Sequence, residues 1–230
     1  MSINAQTSQT GEAPVTIVPP LETGDCLARP EFERRYEAMP WLKKAELIDG
    51  VVYVGSPVGI LHAEADARLT GLLGMYAAHT PGVQCAGNAT LRLDMLNEVQ
   101  PDSLLRLAAG GRSRVEPEKQ YLEGSPELVA EVAASSVSRD LHSKLRLYLR
   151  HAVPEYLVWR VLDGEVDWFR LEAGEYQRLT ADANGILRSR EFPGLWLDQP
   201  ALLRGDMASA MATLNQGLNS PEHEEWAARR

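Results

Sequence analysis

Cysteine is nearly absent: the 230 residues contain two, Cys26 and Cys85. Two thiols so far apart suggest neither a disulfide framework nor a zinc site. Basic residues are also scarce, 23 Lys and Arg against 32 Asp and Glu, giving a net charge of -9. That balance argues against a protein that grips nucleic acid through bulk electrostatics, while leaving room for a local basic groove. No apolar run approaches the roughly 20 residues of a membrane helix. The opening stretch, MSINAQTSQTGEAP, has neither the basic flank nor the apolar core of a signal peptide. Low-complexity tracts and internal repeats are missing as well. What remains is an ordinary composition, 44% hydrophobic and 24% charged, with enough length for a sizeable core. A cytoplasmic protein is expected.

Residues 1–24, rich in Thr, Gly, Pro and Ser, read as a disordered or loosely attached tail. ARPEFERRYEAMP predicts a short helix stopped by Pro40. AELIDGVVYV predicts a β-hairpin turning at Asp49-Gly50. Over 60–79, Leu61, Ala65, Leu69, Leu72, Leu73 and Tyr76 share one helical face, with His62 within it near the start. Gly71 and Gly74 suggest close packing of that helix on a sheet. VQPDSLLRL reads as a strand opening at Pro101-Asp102, followed by a charged, flexible connector over 108–125. PELVAEVAA is nearly all apolar, as expected of a strand buried on both faces. An amphipathic helix over 138–151 and the strand from Glu155 complete a strand–helix–strand unit with a parallel pair. Hairpins around Asp163-Gly164 and Ala173-Gly174, with Trp168 in the core, precede a last helix capped by Asp206. Residues 219–230 read as a tail or a short closing helix. The architecture is a single α/β domain over 25–218 with a mixed central sheet.

The stretch 126–160 poses the chemical question. Glu131 interrupts an apolar strand, and a lone buried acid is costly unless a cation or proton accompanies it. Asp102, near the start of another strand, makes a second carboxylate, and two neighbouring carboxylates repel unless they share a cation. Mg²⁺ takes one or two carboxylates and fills its remaining positions with water and phosphate oxygens. Lys144 borders the helical stripe Leu141, Leu145, Tyr148 and Leu149, from which its ammonium could reach a cleft. Each residue also has a plainer reading. Lys144 could form an i,i+4 pair with Asp140, and Asp102 could be a strand-entry residue. His62 could be a satisfied core histidine, and Glu46 an edge charge. Ser135, Ser136 and Ser138 could simply cap the helix.

Pro101-Asp102, the segment PELVAEVAASSVSRDLHSKLRLYLRHAVPEYLVW, AELIDGVVY and FPGLWLDQPALLRGDMASAMATLNQGL together resemble a bacterial family of restriction-endonuclease-like proteins. That family lies within the PD-(D/E)xK nuclease superfamily, and the likeness spans roughly residues 30–220. It implies a restriction-endonuclease-like core: a helix (60–79), three strands, a second helix (138–151) and a further strand. It also implies Asp102 and Glu131 as ligands of Mg²⁺ or Mn²⁺ in a phosphodiesterase site, with Glu46 as an additional acid and His62 nearby. The sequence departs from the pattern at Ala133, which fills the slot of the motif lysine. Lys144 is the migrated replacement that the resemblance suggests, positioning the attacking water. Ala-Ala-Ser-Ser-Val (133–137) also stands where the family has Leu-Ser-Pro-Ser-Thr.

The leading expectation is thus a metal-dependent endonuclease acting on nucleic acid, with DNA the favoured substrate. Residues 139–160 hold five Lys/Arg against two acids, so the local balance is basic. A catalytically silent interaction module with the same fold is the main alternative, and a small-molecule phosphohydrolase a third. Many nuclease-fold proteins dimerise, so a homodimer is expected by analogy, although no local feature points to one.

Overall fold

The computed structural model describes residues 18–134 and 136–230. The part of the expected tail over residues 1–17, and Ser135 with its capping role, lie outside the described residues. From residue 18 onward the chain is already engaged: Leu21 is buried, and the Gly24 N–H donates to the Val52 carbonyl.

Helix α1 (Arg29–Glu37) begins with a proline in its first turn, where no amide partner is lost, and buries Phe32. Strands β1 (Ala45–Ile48) and β2 (Val51–Val54) pair antiparallel across Asp49 and Gly50. Both turn residues have positive φ, 53° and 75°, the requirement of the two-residue turn that suits the twist of a hairpin. Helix α2 (Ile60–Ala78) follows, then β3 (Val83–Gly87), β4 (Leu91–Arg92), β5 (Glu98–Val99) and β6 (Ser103–Leu107). The connector expected to be flexible instead forms β7 (Ser113–Val115) and β8 (Leu122–Gly124). Its backbone polar groups are satisfied by pairing, and Leu122 is buried. Strand β9 (Leu128–Ala133) leads into a wide π-helical turn (Arg139–Lys144) that continues as α3 (Leu145–Arg150). Strands β10 (Glu155–Arg160), β11 (Glu165–Glu172) and β12 (Glu175–Arg178) run as a meander. A small hairpin, β13 (Ile186–Arg188) and β14 (Trp196–Asp198), precedes α4 (Gln199–Arg204), α5 (Met207–Leu218) and α6 (Pro221–Ala227). Asp206 caps α5 as expected, accepting from the Ser209 N–H at 3.1 Å.

The central sheet has the order β12-β11-β10-β9-β6-β3, with β9 and β10 parallel and the other pairs antiparallel. A second six-stranded sheet has the order β2-β1-β5-β4-β8-β7. Strand alternation divides the core. Leu105, Leu128, Ala130, Val132, Leu157 and Trp168 pack with α2, α4 and α5, whereas Leu104, Val129, Ala133, Tyr156 and Val158 pack with Leu147 and Tyr148 of α3. Glu131 has the parity of Val129 and Ala133, so it points to the α3 side.

Three packing expectations are corrected. Leu61 is 56% exposed, because the first turn of α2 projects past the sheet. Gly71 and Gly74 face open space, with nothing within 4 Å of an added Cβ, so they mark no close approach. On the second helix Lys144, Leu147 and Tyr148 are buried, whereas Leu141, Leu145 and Leu149 are half-buried. The π-helical turn, with its i→i+5 bonding, changes the phase that an even 100° per residue would give.

Candidate active site

Strands β6 and β9 bring the two suspected acids together. Their register pairs Ser103 with Ala130; one step further sets Asp102 opposite Glu131 on the same face. Directly opposed residues of antiparallel strands have Cβ atoms about 5 Å apart. Asp102 is held by its partner strand, since the Val132 N–H donates to Oδ2 at 2.9 Å. A cleft of about 1050 Å³ opens over this face, between the β1–β2 hairpin, the first half of α2 and the π-helical turn.

Two lysines serve the two acids differently. Lys144 Nζ lies 2.7 Å from Glu131 Oε1, 2.9 Å from Glu46 Oε1 and 3.9 Å from Asp140 Oδ1. Its side chain is 2% exposed. The expected Asp140–Lys144 pair therefore exists, but as the longest of three contacts. Lys44, which the sequence did not single out, lies 3.1 Å from Asp102 Oδ1 with its side chain 30% exposed. It immediately precedes β1, opposite Gly55, whose N–H donates to the Lys44 carbonyl. Two adjacent lysines before an ordinary strand carry no pattern, so nothing local could have marked it.

Glu46 accepts the Gln100 N–H at 2.9 Å besides facing Lys144. Tyr148 donates its hydroxyl to Glu131 Oε1 at 3.1 Å. His62 Nε2 stands 3.8 Å from Asp102 Oδ2; it lines the cleft and is not a core histidine. Asp66 and Thr70, one and two turns later on α2, line the cleft too, and Thr70 donates to Asp66 Oδ1 at 3.0 Å. Ser136 bonds the Asp140 side chain, whereas Ser138 makes no side-chain cap bond to the helix.

The electrostatics are those of a crowded acid cluster. Five acids line the cleft (Glu46, Asp66, Asp102, Glu131, Asp140) against Lys44, Lys144 and Arg139. Burial pushes the Glu131 carboxyl up to about 8, reinforced by Asp102, Asp140 and Glu46 and opposed by Lys144. Glu46 goes the other way: burial is outweighed by Lys144, Lys44 and the Gln100 amide. Burial alone would lower the Lys44 and Lys144 ammonium groups, but the surrounding carboxylates raise both. Asp66 is raised by burial and by Asp102.

Such a cluster suits a divalent cation. Among the described residues no three His, Cys, Asp or Glu side chains form a ready-made cage, and Mg²⁺ needs none, keeping several waters on one or two carboxylates. The donors are hard carboxylate oxygens. Asp102 Oδ2 spends one lone pair on the Val132 amide and retains another. Added positive charge would offset the burial, and the neighbouring acids, that raise Glu131.

The basic balance expected over 139–160 does not form one surface. Arg160 is taken up by Asp163, Glu165 and Asp167, Arg150 by Asp49, and Lys144 by the buried acids.

Residues 29–200, about three quarters of the chain, match the profile of the Uma2 family, described as "Putative restriction endonuclease". The chain belongs to this family. The chain is also similar to a solved structure, a "putative nuclease belonging to DUF820" from Anabaena variabilis. It superposes with a TM-score of 0.52 at 11% identity over 76% of this chain and 90% of that one. At that identity the likeness establishes a shared nuclease-like fold. No curated protein matches the chain. Among the described residues no helix is long and apolar enough to cross a membrane.

Proposed function

We propose that the protein is a divalent-metal-dependent nuclease that hydrolyses phosphodiester bonds in this cleft. The observation that carries the reading is that Asp102 and Glu131 lie one step beyond the paired Ser103 and Ala130, each bonded to a different lysine. Asp102 and Glu131 would hold Mg²⁺ or Mn²⁺, with Glu46 behind them. When bound, such an ion neutralises charge on the phosphate and acidifies water. Lys144 fixes Glu131 and Glu46; with its Nζ engaged by both acids and its side chain 2% exposed, it acts as a positioning residue. Orienting the attacking water and stabilising the developing negative charge then fall to Lys44, which reaches both Asp102 and the open cleft. His62 borders the same space. Every side chain named comes from one copy of the chain, so dimerisation, if it occurs, is not needed to complete the site.

The silent-module alternative is favoured by Ala133 in the motif slot and by the full engagement of Lys144. Incubating plasmid, linear and single-stranded DNA, and RNA, with Mn²⁺ or Mg²⁺ separates the two. Cleavage by wild type and none by Glu131→Gln is expected. A wild type inert on every substrate would leave the silent module standing.

A further inference from the structure

Among the described residues, one cation lining the cleft, Arg139, forms no ion pair. Arg139, in the first turn of the π-helical segment, lines the same cleft as Lys44. Its Nε is buried without a partner among the described residues. The neighbouring carboxylate, Asp140, is turned to Ser136 and Lys144 instead. What holds Arg139 is an aromatic ring: its Cζ lies 5.6 Å from the Tyr53 centroid, within cation–π range. Tyr53 comes from β2, so the pair bridges the hairpin and the π-helical turn across the cleft wall.

A buried guanidinium donor without an acceptor is costly, and this protein carries a surplus of acids that could have supplied one. Several other arginines are so supplied: Arg92, Arg160 and Arg178 each face two or more carboxylates, and Arg170, whose Nε is likewise unpartnered, pairs with Glu172. An arginine left open towards a cleft, with its plane steadied on a ring, is prepared for an anion with two oxygens in a plane. The Lys44–Asp102 pair lines the same cleft.

Resting on the nuclease reading above, we propose that Arg139, supported by Tyr53, is the backbone-binding residue of the site. It clamps a phosphate adjoining the one held at Asp102 and Glu131. A guanidinium on a phosphate reads no base, so the grip is indifferent to sequence. Its chemistry is common to DNA and RNA.

Fluorescence anisotropy of labelled oligonucleotides with Ca²⁺ as the divalent ion tests this. Single-stranded DNA, duplex DNA and RNA form separate arms, each titrated at several salt concentrations. Arg139→Ala is expected to weaken every oligonucleotide that wild type binds by about tenfold, whatever its sequence. The slope of log affinity against log salt should fall by about one unit. Arg139→Lys should keep the slope and recover part of the affinity. Arg146→Ala removes an exposed arginine outside the cleft lining and should bind as wild type does. Should Arg139→Ala be poorly folded by its melting temperature, Arg139→Gln, which keeps the stem over Tyr53, gives the same reading. Unchanged binding by the Arg139 variants, or an equal loss in Arg146→Ala, overturns the clamp and leaves the nuclease reading intact. A wild type that binds no oligonucleotide in any arm overturns both.

Discussion

Lys144 and Lys44 have the same side chain, and their surroundings give them opposite work. Removing Lys144 leaves Glu131 and Glu46 as uncompensated buried acids, the situation in which breaking one side of a buried pair costs about 3–5 kcal/mol. Lys144→Met is therefore expected to lower stability by about that much in chemical denaturation. Lys44 is itself 30% exposed, and Asp102 keeps the Val132 amide, so Lys44→Ala should cost far less stability, yet reduce cleavage by about 10²-fold or more. Exchanged results, with Lys44 the stabilising lysine and Lys144 dispensable for the fold, would contradict the assignment.

A second acid pair titrates away from the site. Burial pushes the Glu98 carboxyl up to about 8, and the adjoining Glu33 adds to the push against Arg92. A folded-state value above the unfolded one means that the folded protein holds the extra proton. The stabilising contribution is complete below about 4.5 and is lost as the pH rises to about 8. Glu98→Gln, which imitates the protonated form, should gain stability relative to wild type across that window, read as melting temperature against pH. A constant difference would show that Glu98 does not titrate there.

At the scale of elements, two helical glycines with the same intrinsic propensity should respond oppositely to alanine. Gly74 in α2 has nothing within 4 Å of an added Cβ, so Gly74→Ala should gain about 1 kcal/mol of helix propensity. Gly217 in α5 packs against the turn before β14, where the new Cβ would lie 2.2 Å from the Gly194 carbonyl oxygen. There the propensity gain is outweighed by overpacking of about 1–3 kcal/mol or more, and Gly217→Ala should melt lower. The same pair shows where sequence reading stopped. Gly74 was singled out in the sequence and Gly217 was not, because whether a neighbour approaches a helical glycine is a tertiary fact. Periodicity correctly placed α2, the β1–β2 hairpin, β9, β10 and the β11–β12 turn, because alternation and Asp-Gly or Ala-Gly turns are local. It misplaced the buried stripe of the second helix, because no residue pattern announces an i→i+5 turn. It also missed β7 and β8, short strands stabilised by pairing more than by their own composition.

For the whole molecule, Asp102 and Glu131 stood out in the sequence because each is a carboxylate at the head or centre of an otherwise apolar strand. Their antiparallel register does place them together. Glu127 and Glu155 show why that logic alone is insufficient. Both are as buried as Glu131, but Glu127 accepts the Leu107 and Arg112 amides, and Glu155 accepts the Arg190 and Glu191 amides, the Ser189 hydroxyl and the Trp168 indole. Those donors make them scaffold acids, and the donors come from distant strands and loops that sequence spacing does not reveal. Lys44 and Arg139 stayed hidden for the related reason that a cleft is assembled from four separate segments. The claim on which the account rests is that Asp102 and Glu131 share one divalent ion. Calorimetric titration of Mn²⁺ into wild type and Asp102→Ala tests it most directly. One binding event per chain in wild type, abolished in the variant, is the predicted result; no heat of binding at millimolar Mn²⁺ in wild type would contradict it.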